Sequence, residues 1–214
     1  MCKNIIQDWA SNKNINISEQ QFEKLAAFQK MVLNANEKMN LTAIKDDEGF
    51  AVKHIIDSLT LLPYIPKNAS VIDVGTGAGF PGVVLAIVRP DIRISLLDSL
   101  QKRVHFLEES LDMLGLDYVE CIWQRAEEFA RTGAEYDVCT ARAVAKMHKL
   151  ARYTLPLLRP GGVFLAMKGT DVEEEIRVAK NMLAKYSGVV KSIDIIRLVA
   201  DIRHSIVVIE KQFE

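Results

Sequence analysis

The sequence predicts a doubly wound α/β domain, a mostly parallel sheet with helices on both faces, preceded by a helical N-terminal extension. Three observations carry that expectation. First, Val71-Ile72-Asp73-Val74 is apolar and β-branched apart from one acid, Gly75, Gly77, Gly79 and Gly82 follow, and an apolar segment from Val83 to Val88 then begins. Strand, glycine-rich turn and helix in that order open a doubly wound sheet, whose ligands lie beyond the carboxyl ends of the strands. Second, strand-like runs alternate with helix-period segments over most of the chain that follows. Third, the chain closes on two extended segments, about Val189 to Val199 and Ser205 to Ile209, whose β-branched content suits a pair of strands with an antiparallel member.

The chain has 214 residues, enough to bury a full core in one domain with an appendage. Its hydrophobic fraction of 49% and charged fraction of 26% suit a soluble globular protein rather than a disordered one. No apolar run approaches the roughly 20 residues of a membrane helix. The start, MCKNIIQDWASNKN, lacks a basic segment followed by an apolar one, so no signal peptide is expected. Cys2, Cys121 and Cys139 are odd in number and lack metal-ligand spacing, which points to a reducing cytoplasm, no disulfide framework and no metal site. A net charge of −1 does not announce a nucleic-acid binder, so an RNA ligand would need the basic residues gathered on one face.

Residues 1–66 read as a helical extension and 67–214 as the sheet domain. Ser18 with Gln21 has capping-box spacing, and Phe22, Leu25, Ala26, Val32 and Leu33 give a helical stripe behind it. Asn40-Leu41-Thr42 is a short loop with no chemistry evident from its composition. A second helix is expected over about 47–61, with Val52, Ile55, Ile56, Leu59 and Leu62 on its buried face. His54, Asp57 and Ser58 share a face of that helix at i+3 and i+4 spacing, where His54 either packs or lines a site. Pro63, Pro66 and Lys67-Asn68 mark the boundary.

After the glycine loop and its helix, Arg93 to Leu97 forms a second strand ending in Asp98, where such folds hydrogen-bond ribose hydroxyls. Leu100, Val104, Leu107, Leu111 and Leu114 then step at helical spacing, so Asp98 also suits a helix start. Tyr118 to Ile122 is a third strand, and Arg125-Ala126-Glu127-Glu128 a polar loop that would border an adenine ring. Tyr136 to Thr140 is a fourth strand, running into Ala141-Arg142-Ala143-Val144. Arg142 therefore stands at the mouth of the crevice. Gly161 to Met167 makes the fifth strand and exits through Lys168-Gly169, after which Thr170 and Glu173 are expected to cap a helix containing Val172, Ile176 and Met182-Leu183.

The glycines also satisfy a dinucleotide pattern through Gly77, Gly79 and Gly82, so a nicotinamide-dependent oxidoreductase must be weighed. Asp73 argues against it, because a carboxylate at the strand's end would face the pyrophosphate. The same carboxylate suits a ligand with positive charge and no phosphate. S-adenosylmethionine, with an ammonium and a sulfonium, is such a ligand. Cys121 and Cys139 sit in apolar strands and read as structural thiols.

The order NLT (Asn40 to Thr42), H-x-x-D-S (His54 to Ser58), DVGTGAGFPG (Asp73 to Gly82), RAEE (Arg125 to Glu128), ARAVA (Ala141 to Ala145) and MKG (Met167 to Gly169) resembles the RsmG (GidB) family over nearly the whole chain. That family consists of bacterial methyltransferases of small-subunit ribosomal RNA. The resemblance implies a class I S-adenosylmethionine-dependent methyltransferase fold, Rossmann-like, with a seven-stranded, mostly parallel sheet. It also implies transfer of a methyl group to N7 of a guanine in the 530 loop of 16S rRNA, with S-adenosylhomocysteine as product. The expected cofactor residues are Asp73, Gly75, Gly77, Gly79, Phe80, Asp98, Ala126, Glu127 and Arg142. Arg142 is also the expected catalytic residue. Arg125, Arg142, Lys168 and Arg203 are expected to meet RNA, with Lys146 and Lys149 nearby. The implied partner is 16S rRNA, the small ribosomal subunit or its assembly intermediate, met by a cytoplasmic monomer.

Guanine N7 carries an in-plane lone pair, so attack on the methyl needs no deprotonation, and proximity and orientation can supply about 7–11 kcal/mol at best. The sequence accordingly shows no obligatory nucleophile or base, and it lacks the Asn/Asp-Pro-Pro-aromatic motif of enzymes that methylate exocyclic amines. Three alternatives stand beside this reading: a methyltransferase of a different RNA, protein or small molecule, the oxidoreductase, and a non-catalytic RNA-binding module.

Overall fold

The Ser18–Gln21 pair forms the capping box that its spacing predicts, each side chain bonding the other residue's backbone. The structure, a computed structural model, describes residues 1–213. Helix α1 (Lys3–Asn12) precedes the capped helix α2 (Glu19–Met39), which ends at Asn40 in the left-handed conformation. The predicted second helix is segmented: α3 (Asp47–Phe50), a π-helical turn (Ala51–Ile56) and α4 (Asp57–Leu59). Such π turns recur where a helix must re-aim side chains at a functional site.

The sheet domain follows as β1 (Ser70–Val74), α5 (Gly82–Val88), β2 (Arg93–Asp98), α6 (Gln101–Leu114), β3 (Glu120–Trp123), α7 (Ala126–Phe129), β4 (Tyr136–Arg142), α8 (Met147–Thr154), β5 (Leu158–Lys168), α9 (Glu173–Lys185), β6 (Gly188–Arg197) and β7 (Arg203–Lys211). The strands form one seven-stranded sheet in the order β3-β2-β1-β4-β5-β7-β6. β1 to β5 are mutually parallel, while β7 runs antiparallel to both β5 and β6. The order reverses between β1 and β4, which opens a crevice at their carboxyl ends.

Both faces of the sheet are covered, which is why its central strands read as continuous apolar runs. Alternate residues feed opposite cores. Val71, Leu96, Val138 and Leu165 meet α5, α6 and the N-terminal helices, including Ile6, Phe28, Phe50 and Leu59. Ile72, Leu97, Cys139 and Phe164 meet Leu150, Leu155 and Leu183 on the other side. Residues 1–66 thus share one core with the sheet. Among the described residues, no helix is long and apolar enough to cross a membrane.

Three local expectations need correction. Arg125 to Glu128 is not a loop: the Arg125 carbonyl accepts from the Glu128 and Phe129 amides and starts α7. Glu127 and Glu128 fall in the first helical turn, where acidic side chains oppose the helix dipole favourably. Thr170 and Glu173 form no capping pair, because α9 begins at Glu173 itself, with buried Val172 at the cap position. Tyr118 precedes β3 and donates its hydroxyl to the Ala86 carbonyl.

Candidate active site

The β1–α5 turn is shaped by what surrounds it. Gly75 adopts φ +69°, and a Cβ there would stand 2.7 Å from Val144 Cγ2, so only glycine fits beneath the β4–α8 segment. The crevice above this turn has a volume of about 370 Å³. Gly75, Asp98, Arg125, Ala126, Glu127 and Tyr153 are among its walls. Asp98 is buried, and its carboxylate accepts from Gly77 N at 3.0 Å and Leu100 N at 2.9 Å, with Arg103 Nη1 at 3.5 Å. These partners fix the carboxylate at the tip of β2 and leave lone pairs for a ligand. Ala126 and Glu127 open α7, where helical geometry leaves amide N–H groups without an intrahelical acceptor.

A second constellation lies where β4 meets the N-terminal helices. Arg142 Nη1 donates to Asp57 Oδ2 and to the Lys53 carbonyl, each at 2.9 Å, and its Nη2 donates to His54 Nδ1 at 3.1 Å. A guanidinium has no acceptor. His54 Nδ1 must therefore be the unprotonated nitrogen, and Nε2–H donates to Thr42 Oγ1 at 2.7 Å. The other oxygen of Asp57 accepts from His204 Nδ1 on β7. The His54 ring stacks on Phe80 with centroids 4.5 Å apart, and the Arg142 guanidinium lies 5.2 Å over the same ring.

Burial, reinforced by the charge of Arg142, holds the His54 pKa down at about 4, although Asp57 opposes the shift. Between about pH 4 and 6.5 the unfolded chain then binds a proton at His54 that the folded one does not. Stability consequently rises with pH across that window and is lost as pH falls through it. The expected loss from pH 7 to 4 at this residue is on the order of 3 kcal/mol. Urea unfolding at several pH values checks this: His54→Gln should flatten the profile between pH 4 and 6.5, and an unchanged slope would contradict it.

The expected site residues separate accordingly. Gly75, Asp98, Arg125, Ala126 and Glu127 come together on the crevice walls. Asp73 does not join them: it is fully buried, and its carboxylate accepts from Gly82 N at 3.0 Å and Thr140 Oγ1 at 2.9 Å. Burial raises its pKa, against these hydrogen bonds. Gly77 donates its amide to Asp98, and Gly79 packs against Phe28, Val83 and Leu107. Phe80, 3% exposed, lies beneath His54 and Arg142 among Phe28 and Phe50. Arg142 is tied to Asp57 and His54 and is not a crevice-wall residue.

Lys168 fastens the β4–α8 segment, donating to the Ala145 carbonyl and to Glu175, which also accepts from Met147 N. Arg125, Arg203, Lys146 and Lys149 are exposed. Arg203 stands opposite Arg197 in the β6–β7 register, so two cations share the end of the sheet. Burial pushes the Cys121 thiol up to about 12 and raises that of Cys139 well above its ordinary value, so both are held as thiols.

The sequence alone gave no reason to join Thr42, Asp57 and His204. The NLT and H-x-x-D-S segments, both rich in hydrogen-bonding groups within a helical extension, were the available signal.

The family model described as rRNA small subunit methyltransferase G (GidB) matches residues 21–206. The chain is 41% identical to a ribosomal RNA small subunit methyltransferase G from Alkaliphilus metalliredigens, over 98% of this chain and 90% of that protein. It is 40% identical to one from Acetivibrio thermocellus, over 98% of this chain and 88% of that one. Among solved structures, M. jannaschii TYW2 in complex with AdoMet superposes with a TM-score of 0.60 at 17% identity, over 80% of each chain, which supports the fold. With the family model and both relatives in agreement over almost its full length, the chain belongs to the rRNA small subunit methyltransferase G family.

Proposed function

We propose that the chain transfers a methyl group from S-adenosylmethionine to N7 of a guanine in the 530 loop of 16S rRNA. The observation that carries this reading is the crevice at the β1/β4 switch point, with a fixed carboxylate at the tip of β2 and a helix start opposite it. The donor set fits the cofactor. Asp98 would accept from ribose hydroxyls, the first amides of α7 would serve the adenine, and Gly75 would let the methionyl portion approach the backbone. Bound there, S-adenosylmethionine supplies a methyl group made electrophilic by its sulfonium.

The chain's own residues then have a positioning task. N7 of guanine is already a nucleophile, so no side chain need remove a proton, and the loss of an uncharged methyl acceptor's freedom is the barrier to lower. Arg142, clamped by Asp57, His54 and the Lys53 carbonyl, would present its remaining N–H groups to the target base. Arg125 and the Arg197/Arg203 pair would meet phosphates, which would also relieve the repulsion between the paired arginines. Lys168 would act indirectly, by holding the segment that carries Ala143 and Val144.

Asp98→Ala should weaken S-adenosylmethionine binding about 10- to 100-fold, the effect of losing hydrogen bonds to a charged group. Calorimetric titration reads it directly, and unchanged affinity would remove Asp98 from the site. The function itself is tested with labelled S-adenosylmethionine and small subunits from cells lacking the modification. Label should enter 16S rRNA. Cofactor binding without transfer to small-subunit RNA would instead favour another substrate.

A further inference from the structure

A second recess adjoins the crevice. It has a volume of about 230 Å³ and is bounded by Asp57, Arg142, Ala143, Met167, Lys168 and His204, with Gly169 at its rim. Ala143 borders both this recess and the crevice, so the two cavities meet at one residue. Ala143 takes φ +55°, a left-handed conformation that turns the chain sharply between them. The polar walls are of two kinds. Asp57 offers a carboxylate, whereas Arg142 and Lys168 offer only donors.

Asp57 is buried and spends its oxygens on Arg142 and His204, one bond to each. A carboxylate has about four acceptor positions, so two remain. Arg142 uses three of its five N–H groups on Asp57, the Lys53 carbonyl and His54. Lys168 has a third ammonium proton beyond those given to Ala145 and Glu175. The recess therefore presents, side by side, acceptor capacity at one end and donor capacity next to it. Met167 adds an apolar surface for a ring to pack on.

We propose that this recess binds the target base and selects guanine, with Asp57 accepting from N1–H and the 2-amino group and Arg142 facing O6. The hydrogen-bonding groups around the base have counterparts in the recess. On guanine the edge runs 2-amino, N1–H, O6, N7. Across the protein, Asp57 is bonded to Arg142, and Arg142 is followed by Ala143, which opens onto the crevice. A base seated with its donors on Asp57 thus turns N7 toward the methyl donor's cavity. Adenine fails in this setting because its N1 lone pair would face the Asp57 carboxylate. A buried polar site left unmatched in this way discriminates strongly. A base in a structured RNA must leave its stack to enter such a recess, as other base-modifying enzymes require.

This inference rests on the proposed guanine-N7 activity, and its test keeps the two separable. Small subunits would be reconstituted with 16S rRNA carrying guanine or inosine at the position that wild-type enzyme methylates. Inosine lacks the 2-amino group and keeps N1–H, O6 and N7. Binding to each particle would be measured by filter retention, for wild type and for Asp57→Asn, whose folding is checked by circular dichroism. Wild type should bind the inosine particle about 10-fold more weakly, and Asp57→Asn should show a difference of about twofold or less, because the lost contact is the same one. Equal wild-type affinity for both particles overturns the proposal even if Asp57→Asn does not fold. An undiminished inosine penalty in a folded Asp57→Asn overturns the assignment to Asp57. A wild-type enzyme that methylates no guanine of 16S rRNA is a failure of the function itself, seen before any inosine comparison.

Discussion

Arg142→Ala should lower methyl transfer to small subunits about 100-fold or more, the scale set by misplacing reacting groups by an ångström. The guanidinium is the hub of three elements: the π-helical turn through Lys53 and His54, α4 through Asp57, and β4 on which it sits. Its removal leaves Asp57 without its guanidinium partner, which should also cost about 3 kcal/mol of stability, the low end for a broken buried pair. Cofactor affinity should change little, because Arg142 does not line the crevice. Arg142→Lys restores the charge but not the planar fork, so it should recover less than about a tenth of the activity. Single-turnover transfer combined with cofactor titration separates these effects. A folded Arg142→Ala enzyme with wild-type transfer would remove Arg142 from the mechanism.

Asp73→Ala should destabilise the protein by about 3 kcal/mol, because it strands two buried donors, Gly82 N–H and the Thr140 hydroxyl. For a chain of this size that corresponds to a melting temperature lower by about 6–12 °C. Asp73→Asn is the sharper comparison. Its carboxamide oxygen can still accept from Gly82, and the Thr140 hydroxyl can turn to accept from the amide, so most of the stability should return. Thermal unfolding and cofactor titration of Asp73→Asn distinguish two roles. Restored stability with near wild-type affinity fits a buried tie between the glycine loop and β4. Affinity lost at least 10-fold at unchanged stability would instead mean that Asp73 meets the cofactor.

The contrast between Asp73 and Asp98 shows which part of the site was legible in the sequence. Both are acids at strand ends, and both strands were visible as β-branched apolar runs. In the β1–β2 register Asp73 stands opposite Leu96, so the pleat turns Asp73 and Asp98 to the same face, and what separates them is that Asp98 lies two residues further toward the carboxyl ends, where the crevice opens. For Asp98 the glycine loop closes over it from Gly77, and it stays at the crevice. Asp73 points instead at the start of α5. Strands and helices with strong periodicity were therefore readable, as was the glycine turn. The place of a single polar residue along its strand relative to the crevice was not.

The Arg142 hub was harder still. Thr42, His54 and His204 are scattered across the chain, and Asp57 and His204 are separated by 147 positions. No local pattern links such residues. Only the packing of the N-terminal helices onto the sheet, carried by Phe28, Phe50 and Phe80, brings them together. Helix ends also escaped local reading at Thr170, because buried Val172 settles where α9 begins.

The most direct test of the central claim maps the methylated atom. Small subunits lacking the modification would be incubated with the enzyme and S-adenosylmethionine, and their 16S rRNA treated with borohydride and aniline, which cleave at N7-methylguanine. A single new cut in the 530 loop is the predicted result. Label incorporated without a cut there, or cuts spread over many guanines, would contradict it.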